Sequence, residues 1–405
     1  MLKKYVVGIF IISLIVLTSC TNLNRVQPPG TDNLIREKWV SQINTNPNSW
    51  LQNVDSWFLT GKPNSIQKKL KQAGPTDAVT KSVVKVGDFD KIIVAGNFQV
   101  QIIGGKDYNS VRILGKNNDT SSVSVSSFDN SLTIKETPKP TGSAQNVIIR
   151  ITVKNLHSLQ NMGPGLVMGR NIISDCLKIL SNGAGTTFLQ GSMNIVEIKQ
   201  FGIGTITIFG AQSPKINIAV TGNGNLNICG RVGVENISHQ GNGNLNIIGA
   251  DTDGLCINTA GNGQTVVSGY VNLKKVLATD SSKVFVTWAY SKNLNIVTNL
   301  NSIVGVAGAA TNLDVTTCNN SCFLGQYLNS ATVYVKTQDN SHADVSADFK
   351  IFTKAINKSG ILYYGSPKIL SKTLAHQATI IAIKTRKKIL PNPPFIPYNP
   401  STAPF

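Results

Sequence analysis

Apolar and polar residues alternate along the chain from about residue 83 onwards. Segments such as Phe98-Gln99-Val100-Gln101-Ile102 and Leu132-Thr133-Ile134 place an apolar side chain at every second position. Successive side chains of a β-strand point to opposite faces, so this alternation predicts strands with one buried face. The β-branched residues that dominate these segments favour the same structure.

Glycine recurs within this region at a fixed period. A Gly-x-Gly motif begins at six positions that are 19 or 20 residues apart: Gly163, Gly183, Gly202, Gly222, Gly241 and Gly261. In five of these repeats another glycine follows eight residues later: Gly191, Gly210, Gly230, Gly249 and Gly269. Polar turns such as 299–302 and 338–341 continue the period after the glycines become rare. A fixed period of this length is typical of stacked structural repeats.

Apolar pairs keep the same phase from one repeat to the next, as Val196/Ile198 and Ile216/Ile218 do. A single coil cannot bury its apolar face, whereas stacked coils build one continuous core. We therefore predict an all-β fold, a parallel β-solenoid of about ten coils of about 20 residues over residues 83–365. Fold-level expectation favours a right-handed β-helix. Outward Asn223, Asn242 and Asn262 are expected to form a ladder of amide hydrogen bonds.

The N-terminal part of the chain has the pattern of an export signal. Lys3 and Lys4 precede the apolar run 5–17, which is too short to span a bilayer comfortably and fits a secretory signal peptide over residues 1–19. The segment Leu17-Thr18-Ser19-Cys20 resembles a bacterial lipobox, which implies lipidation of Cys20. Residues 20–30 then form a linker, and spaced apolar residues in 31–82 predict a small helical segment. The expected location is the bacterial cell envelope, and the outer membrane in a cell that has one.

Charge is concentrated at the other end of the chain. The formal net charge is +18, and residues 349–405 contain no Asp or Glu. We expect residues 366–405 to be a basic, Pro-rich tail whose cluster Lys384, Arg386, Lys387 and Lys388 contacts envelope polyanions such as acidic glycans or lipid headgroups. The export signal argues against specific binding of nucleic acid.

The opening strands and the later coils resemble a known family. Phe89-Asp90-Lys91-Ile92-Ile93-Val94, together with the repeated Gly-Asn-Gly-Asn-Leu-Asn-Ile coils, is similar to the putative auto-transporter adhesin, head GIN domain family. The resemblance covers about residues 87–270. It implies a secreted or lipid-anchored β-helical protein with a role in adhesion, and it supplies no catalytic residues.

Motifs for catalysis or metal binding are scarce. The turns lack the Asp residues of calcium-binding β-rolls, and no cofactor is expected. Glu197 and Lys199 share the outward face of one strand, which predicts a surface ion pair. The four-residue spacing of Cys318 and Cys322 allows either a disulfide across a turn or a reduced pair. The sequence therefore predicts no enzyme, although a polysaccharide lyase or hydrolase is kept as the least favoured alternative.

Two functions remain after these exclusions. The first is a lipid-anchored, non-enzymatic adhesion or binding protein that presents a polar lateral surface. Its expected ligand contacts, besides the basic cluster, are Asn223, Asn225, Asn227, Asn242, Asn244, Asn246 and Asn262. The alternative is a periplasmic structural protein that binds peptidoglycan or an envelope assembly partner.

Overall fold

A computed structural model describes residues 80–137 and 144–383 of the chain. Eight short strands come first: β1 (Thr80–Val84), β2 (Lys91–Ala95), β3 (Gln99–Ile103), β4 (Ser110–Gly115), β5 (Val123–Phe128), β6 (Ser131–Glu136), β7 (Ile148–Thr152) and β8 (Ser158–Asn161). A one-turn helix, α1 (Asn117–Thr120), and a 3-10 turn (Ala144–Asn146) lie between them. In the part of the chain that the structure describes, no helix has the length and hydropathy needed to cross a membrane.

Ten long strands follow, each of 14 to 17 residues and each bent around a coil. They are β9 (Leu166–Ser181), β10 (Thr186–Gln200), β11 (Thr205–Val220), β12 (Asn225–Gln240), β13 (Asn244–Ala260), β14 (Gln264–Ala278), β15 (Lys283–Thr298), β16 (Ile303–Thr317), β17 (Cys322–Thr337) and β18 (His342–Ala355). The described chain ends with β19 (Gly360–Tyr364), β20 (Ile369–Leu374) and β21 (Thr379–Ile383).

The long strands pair in parallel, each with the equivalent strand of the next coil. Thr205 of β11 lies opposite Asn225 of β12, and Leu226 lies opposite Leu245 of β13. Hydrogen-bonded residues of neighbouring coils are therefore separated by the same number of positions as the repeated glycines. The predicted parallel β-solenoid is confirmed, with about 12 coils rather than about ten.

The core is a set of apolar columns that run through the coils. One column consists of residues that the alternation placed inside: Ile198, Ile218, Ile237, Ile257 and Val276, which lie opposite one another in successive coils. None of them is more than 2% exposed. Burying an aliphatic side chain of this size contributes about 2 kcal/mol, so the columns supply the main stabilisation.

The coil corners are of two kinds. In the first, neighbouring backbones approach so closely that a Cβ atom on Gly222 would collide with the backbone oxygen of Gly202. In the second, found in the later coils, two consecutive residues adopt left-handed φ angles, as Asn319 (54°) and Asn320 (62°) do. Asn tolerates this conformation better than most residues, which explains why the period survives the loss of glycine.

The first coil is covered by strands that precede or interrupt it. Strands β6 and β7 pair in parallel with β2 and β3, and β5 and β4 add antiparallel strands outside them. Strand β1 pairs antiparallel with β4, so residues 80–82 are extended, although we predicted them as the end of the helical segment. The signal peptide, Cys20, the linker and residues 31–79 lie outside the described residues.

The strands also continue past residue 365, where we predicted the solenoid to end. Strand β20 pairs in parallel with β18, and β21 pairs with β19. All six residues of β20 are exposed, so neither face of the strand is consistently apolar. The sequence therefore lacks the alternation that would have predicted this strand. The tail that we predicted from residue 366 therefore begins later in the chain, after β21. Its basic cluster at residues 384–388 lies outside the described residues.

Candidate functional site

The predicted asparagine ladder forms at the glycine corners. The Asn242 side-chain amide donates to Oδ1 of Asn223 at 3.0 Å, and the Asn262 amide donates to Oδ1 of Asn242 at 3.1 Å. All three side chains are exposed on the outside of their corners. The ladder geometry is confirmed, and its hydrogen bonds join three successive coils.

The asparagines that follow these corners are less available than predicted. The Asn244 backbone N–H donates to Oδ1 of Asn225, and the Asn246 amide donates to Oδ1 of Asn227. Asn227 is only 5% exposed, because its side chain lies between Thr207 and Asn246. Asn227 is therefore covered by its neighbours and is not an accessible contact residue, which corrects the prediction, and contact of the other asparagines with a ligand stays a prediction.

A groove of about 340 Å³ lies on the lateral face of the coils just before these corners. Two outward columns form its surface. The first runs Glu197, Asn217, Asn236, Cys256 and Lys275, and the second runs Lys199, Ala219, Ser238, Asn258 and Leu277. The volume is within the range of small-ligand sites, and side-chain amides supply donors and acceptors along its length.

Differences in side-chain size produce the groove. The small residues Ala219 and Ser238 lie in the middle of the second column, and longer side chains stand at both ends. At one end, Nζ of Lys199 lies 2.6 Å from Oε1 of Glu197, which confirms the predicted ion pair. Lys275 stands at the other end. The sequence showed the ion pair but not the groove, because a depression depends on the residues above and below it.

Carboxyl groups are scarce in the groove. Among the described residues that line it, Glu197 is the only acid, and Lys199 already pairs with it. Hydrolysis of a glycosidic bond ordinarily uses two carboxyl groups on either side of that bond. Within residues 80–137 and 144–383, no group of three or more His, Cys, Asp or Glu side chains is placed to hold a metal ion.

A second group of ionisable residues ties the first coils together. His157 Nδ1 lies 2.9 Å from Oδ2 of Asp90, and its Nε2 lies 3.1 Å from Oδ1 of Asp175. The hydrogen bond with Asp90 is the main cause that raises the pKa of His157. The hydrogen bond from Asn155 is the main cause that lowers the pKa of Asp175. The three residues come from neighbouring coils, so this arrangement works as a structural clamp.

Cys318 and Cys322 are free thiols in the structure, which corresponds to the reduced alternative. The Cys318 thiol lies 3.8 Å from the backbone oxygen of Thr298, and Cys322 is buried at the start of β17. Burial raises the pKa of the Cys322 thiol well above its usual range. Because the thiolate is the reactive form, Cys322 is a poor nucleophile for disulfide exchange.

The fold is a parallel β-solenoid with a groove on its lateral face. Residues 88–275 match the family described as "Putative auto-transporter adhesin, head GIN domain". The resemblance inferred from the sequence is therefore confirmed over this segment, which contains nearly all of the groove. No curated protein matches the chain.

Several solved structures are similar to the chain. A putative adhesin from Bacteroides fragilis NCTC 9343 is 14% identical, and the match covers 76% of this chain and 99% of that one, with a TM-score of 0.27. A putative adhesin from Parabacteroides distasonis ATCC 8503 is 13% identical, with coverages of 76% and 97% and a TM-score of 0.26. A putative lipid binding protein from the same strain is 14% identical, with coverages of 76% and 97% and a TM-score of 0.22.

Proposed function

We propose that the protein is a non-enzymatic adhesion or binding protein of the bacterial cell envelope, held at the outer membrane by lipid on Cys20. The observation that carries the proposal is the lateral groove, which offers amide and hydroxyl groups but no second carboxyl group for hydrolysis. The adhesin name of the family that residues 88–275 match supports the same role. The lipobox pattern at residues 17–20 supports the anchor.

The stacked coils suit this role physically. Neighbouring coils are joined by ladders of backbone hydrogen bonds that only short register shifts interrupt, so the outward side chains are presented on a rigid surface. A preorganised surface loses little conformational entropy when it binds a ligand. The asparagines that repeat at the glycine corners, Asn223, Asn242 and Asn262, also present amide groups at regular intervals, which suits an extended or repetitive ligand.

Accessibility of the solenoid in intact cells tests the location. Cells that express the chain are treated with an external protease and, separately, with a membrane-impermeant amine reagent, and a periplasmic protein reports leakage. Cleavage and labelling in intact cells are the expected result. Protection until the outer membrane is permeabilised would contradict surface display and favour the periplasmic alternative, which co-sedimentation with purified peptidoglycan then tests.

A bulky residue in the groove tests the binding role. We expect Ser238→Lys to reduce the adhesion of expressing cells to mucin-coated surfaces, because the long side chain fills the shallow middle of the groove. Thr316 lies in the same outward column, further along the solenoid. Thr316→Lys adds the same charge outside the groove and serves as the control. Equal adhesion by both variants and the unmodified chain would show that the groove is not the adhesive surface.

A further inference from the structure

Trp288 occupies a corner position where neighbouring coils use glycine or asparagine. In every second coil this position has a left-handed φ angle, at Asn171 (51°), Gly210 (81°), Gly249 (87°) and Trp288 (63°). A side chain is poorly accommodated there, since a Cβ atom on Gly249 would collide with the backbone oxygen of Gly230. Bulky residues rarely adopt this conformation, so Trp288 is strained relative to its equivalents.

Packing accounts for only part of the Trp288 side chain. The Trp288 side chain is 50% exposed, so much of its apolar surface stays in water. Strained residues that the fold tolerates cluster at ligand-binding and active sites. An exposed, strained tryptophan in a chain with 7% aromatic residues therefore points to a surface that contacts a ligand.

Two tyrosines lie near Trp288: Tyr290 follows it by two residues on β15, and Tyr270 is on the neighbouring strand β14. The rings of Tyr270 and Tyr290 stack with centroids 3.9 Å apart, and Tyr270 is 52% exposed. The Tyr290 hydroxyl donates to the backbone oxygen of Thr252 at 3.4 Å, which holds the pair in place. Val271 lies opposite Ala289, so Tyr270 and Trp288 come from the same corner of adjacent coils. We call Tyr270, Trp288 and Tyr290 the aromatic platform.

Polar groups surround the aromatic platform without a dominant charge. Asp251 lies opposite Tyr270 and accepts a hydrogen bond from Nε of Arg231 at 2.8 Å. Burial is the main cause that raises the pKa of the Tyr290 hydroxyl, and the nearby charge of Asp253 raises it further. Lys274 extends over Gly254, next to Asp253. These two acids are matched by two bases, and the exposed Lys292, two residues after Tyr290, adds one more base. The aromatic platform therefore offers only modest attraction to a polyanion.

We infer that the aromatic platform binds a neutral glycan. The faces of a pyranose ring expose C–H groups, which stack on the electron-rich faces of aromatic rings. Carboxylates and guanidinium groups at the edge of such rings bind sugar hydroxyls through charge-assisted hydrogen bonds. This inference rests on the proposed binding function, whose ligand class it specifies, and it places the contact at residues outside the groove.

Calorimetry with the full-length protein in detergent tests the inference. The probes are three neutral glycans (xyloglucan, galactomannan and mixed-linkage β-glucan) and two anionic ones (heparin and polygalacturonate). We expect binding of a neutral glycan that persists in about 0.5 M NaCl, because salt screens charge interactions but not stacking. Trp288→Gly and Tyr270→Ala should each bind about tenfold more weakly, as expected for aromatic hot spots.

Thermal unfolding separates a ligand-binding role from a structural one. Glycine is the residue that equivalent corners use, so Trp288→Gly should keep or raise the melting temperature while binding falls. Phe128→Ser is the matched control, since Phe128 is 85% exposed on the β5–β6 hairpin and its replacement should leave glycan binding unchanged. A lower melting temperature for Trp288→Gly with unchanged binding would show that Trp288 is structural and overturn the inference.

Other outcomes are equally decisive. Binding of anionic glycans alone, absence of binding to all three neutral glycans, or full affinity in Trp288→Gly and Tyr270→Ala would each overturn the inference. If Ser238→Lys abolishes glycan binding and the platform variants do not, the inference fails and the proposed function stands. Platform-dependent binding by a chain that proves to be periplasmic would leave the inference intact and refute surface display.

Discussion

Single glycines decide whether neighbouring coils can approach. A Cβ atom on Gly243 would collide with the backbone oxygen of Gly224 in the preceding coil, and the colliding atoms are backbone that cannot move independently. By contrast, a Cβ atom on Gly87 would have no heavy atom within 4 Å. The two glycines therefore form a matched pair for mutation.

We predict that Gly243→Ala lowers the free energy of unfolding by about 3 kcal/mol or more, because the two coils must separate or distort. Gly87→Ala should change it by about 0.5 kcal/mol or less. Denaturant unfolding followed by far-UV circular dichroism measures both. Equal stability of the two variants would contradict the close approach of the backbones at Gly243.

A buried histidine makes stability depend on pH. His239 is 1% exposed, its Nδ1 lies 2.8 Å from Oγ1 of Thr265, and burial lowers its pKa to about 4. The unfolded chain binds a proton near pH 6.5, whereas the folded chain resists protonation until about pH 4. His239 therefore contributes full stability above pH 6.5, and this contribution is lost as the pH falls towards 4.

We predict that protonation of His239 lowers the free energy of unfolding by about 3 kcal/mol as the pH falls through this window. His239→Gln should flatten the dependence, and glutamine is suitable because Gln200 occupies the same inward column two coils earlier. Chemical denaturation at a series of pH values between 4 and 7 gives the comparison. An unchanged pH profile in the variant would assign the effect to other groups, such as Asp175, whose lowered pKa also makes stability fall on acidification; the raised pKa of His157 acts in the opposite direction.

At the scale of the elements, the later corners depend on buried serines. The Ser341 hydroxyl lies 2.9 Å from both Oγ1 and the backbone oxygen of Thr317, and it accepts a hydrogen bond from the Gln338 backbone N–H. Ser321 and Ser359 make equivalent contacts with the threonines of neighbouring coils. These side chains replace the close backbone contacts that glycine allows in the earlier coils.

Ser341→Ala should lower the free energy of unfolding by about 1–2 kcal/mol, because it leaves the buried Thr317 hydroxyl without this partner. Ser124, which is exposed on β5, provides the control, and Ser124→Ala should change stability by about 0.5 kcal/mol or less. Thermal and denaturant unfolding measure the two variants side by side. If Ser341→Ala lowers the free energy of unfolding no more than Ser124→Ala does, the corner serines are dispensable for stability.

At the scale of the whole molecule, positive charge is unevenly distributed along the sequence. The charged groups near the aromatic platform nearly balance, whereas the net charge of +18 is partly concentrated towards the C-terminal end of the sequence. Basic clusters attract polyanions through interactions that salt weakens. We therefore predict that Lys384, Arg386, Lys387 and Lys388 contact acidic glycans or lipid headgroups, and that this contact is distinct from recognition of a neutral ligand.

Replacement of these four residues by alanine should weaken binding to heparin and to anionic lipid vesicles and flatten its salt dependence, because fewer counterions are released. Removal of four lysines from other sites (Lys106, Lys135, Lys283 and Lys292) gives a control of equal net charge. Binding isotherms at several salt concentrations compare the variants. Equal weakening by both sets would mean that overall charge, and not the C-terminal cluster, governs the interaction.

The coil period, most of the inward apolar phases and the asparagine ladder were predictable from the sequence. They are predictable because parallel coils stack in register, so a residue lies opposite its equivalent 19 or 20 positions away and the repeat itself encodes the contact. Val196 is an exception, because a register shift in β10 places Ile195 in the core instead. Strands β20 and β21 escaped prediction because their exposed residues weaken the alternation that reveals a strand.

The tertiary structure alone decided which outward residues form a surface that a ligand can use. Asn227 is buried by its neighbours although it belongs to the same repeated motif as Asn246, and the groove exists because small side chains in adjacent coils stand between long ones. The aromatic platform likewise joins residues of two coils at a corner. Alternation predicts the face on which a side chain lies. Its exposure, the depth of a groove beside it and its distance from other side chains depend on the sizes of the residues stacked above and below it.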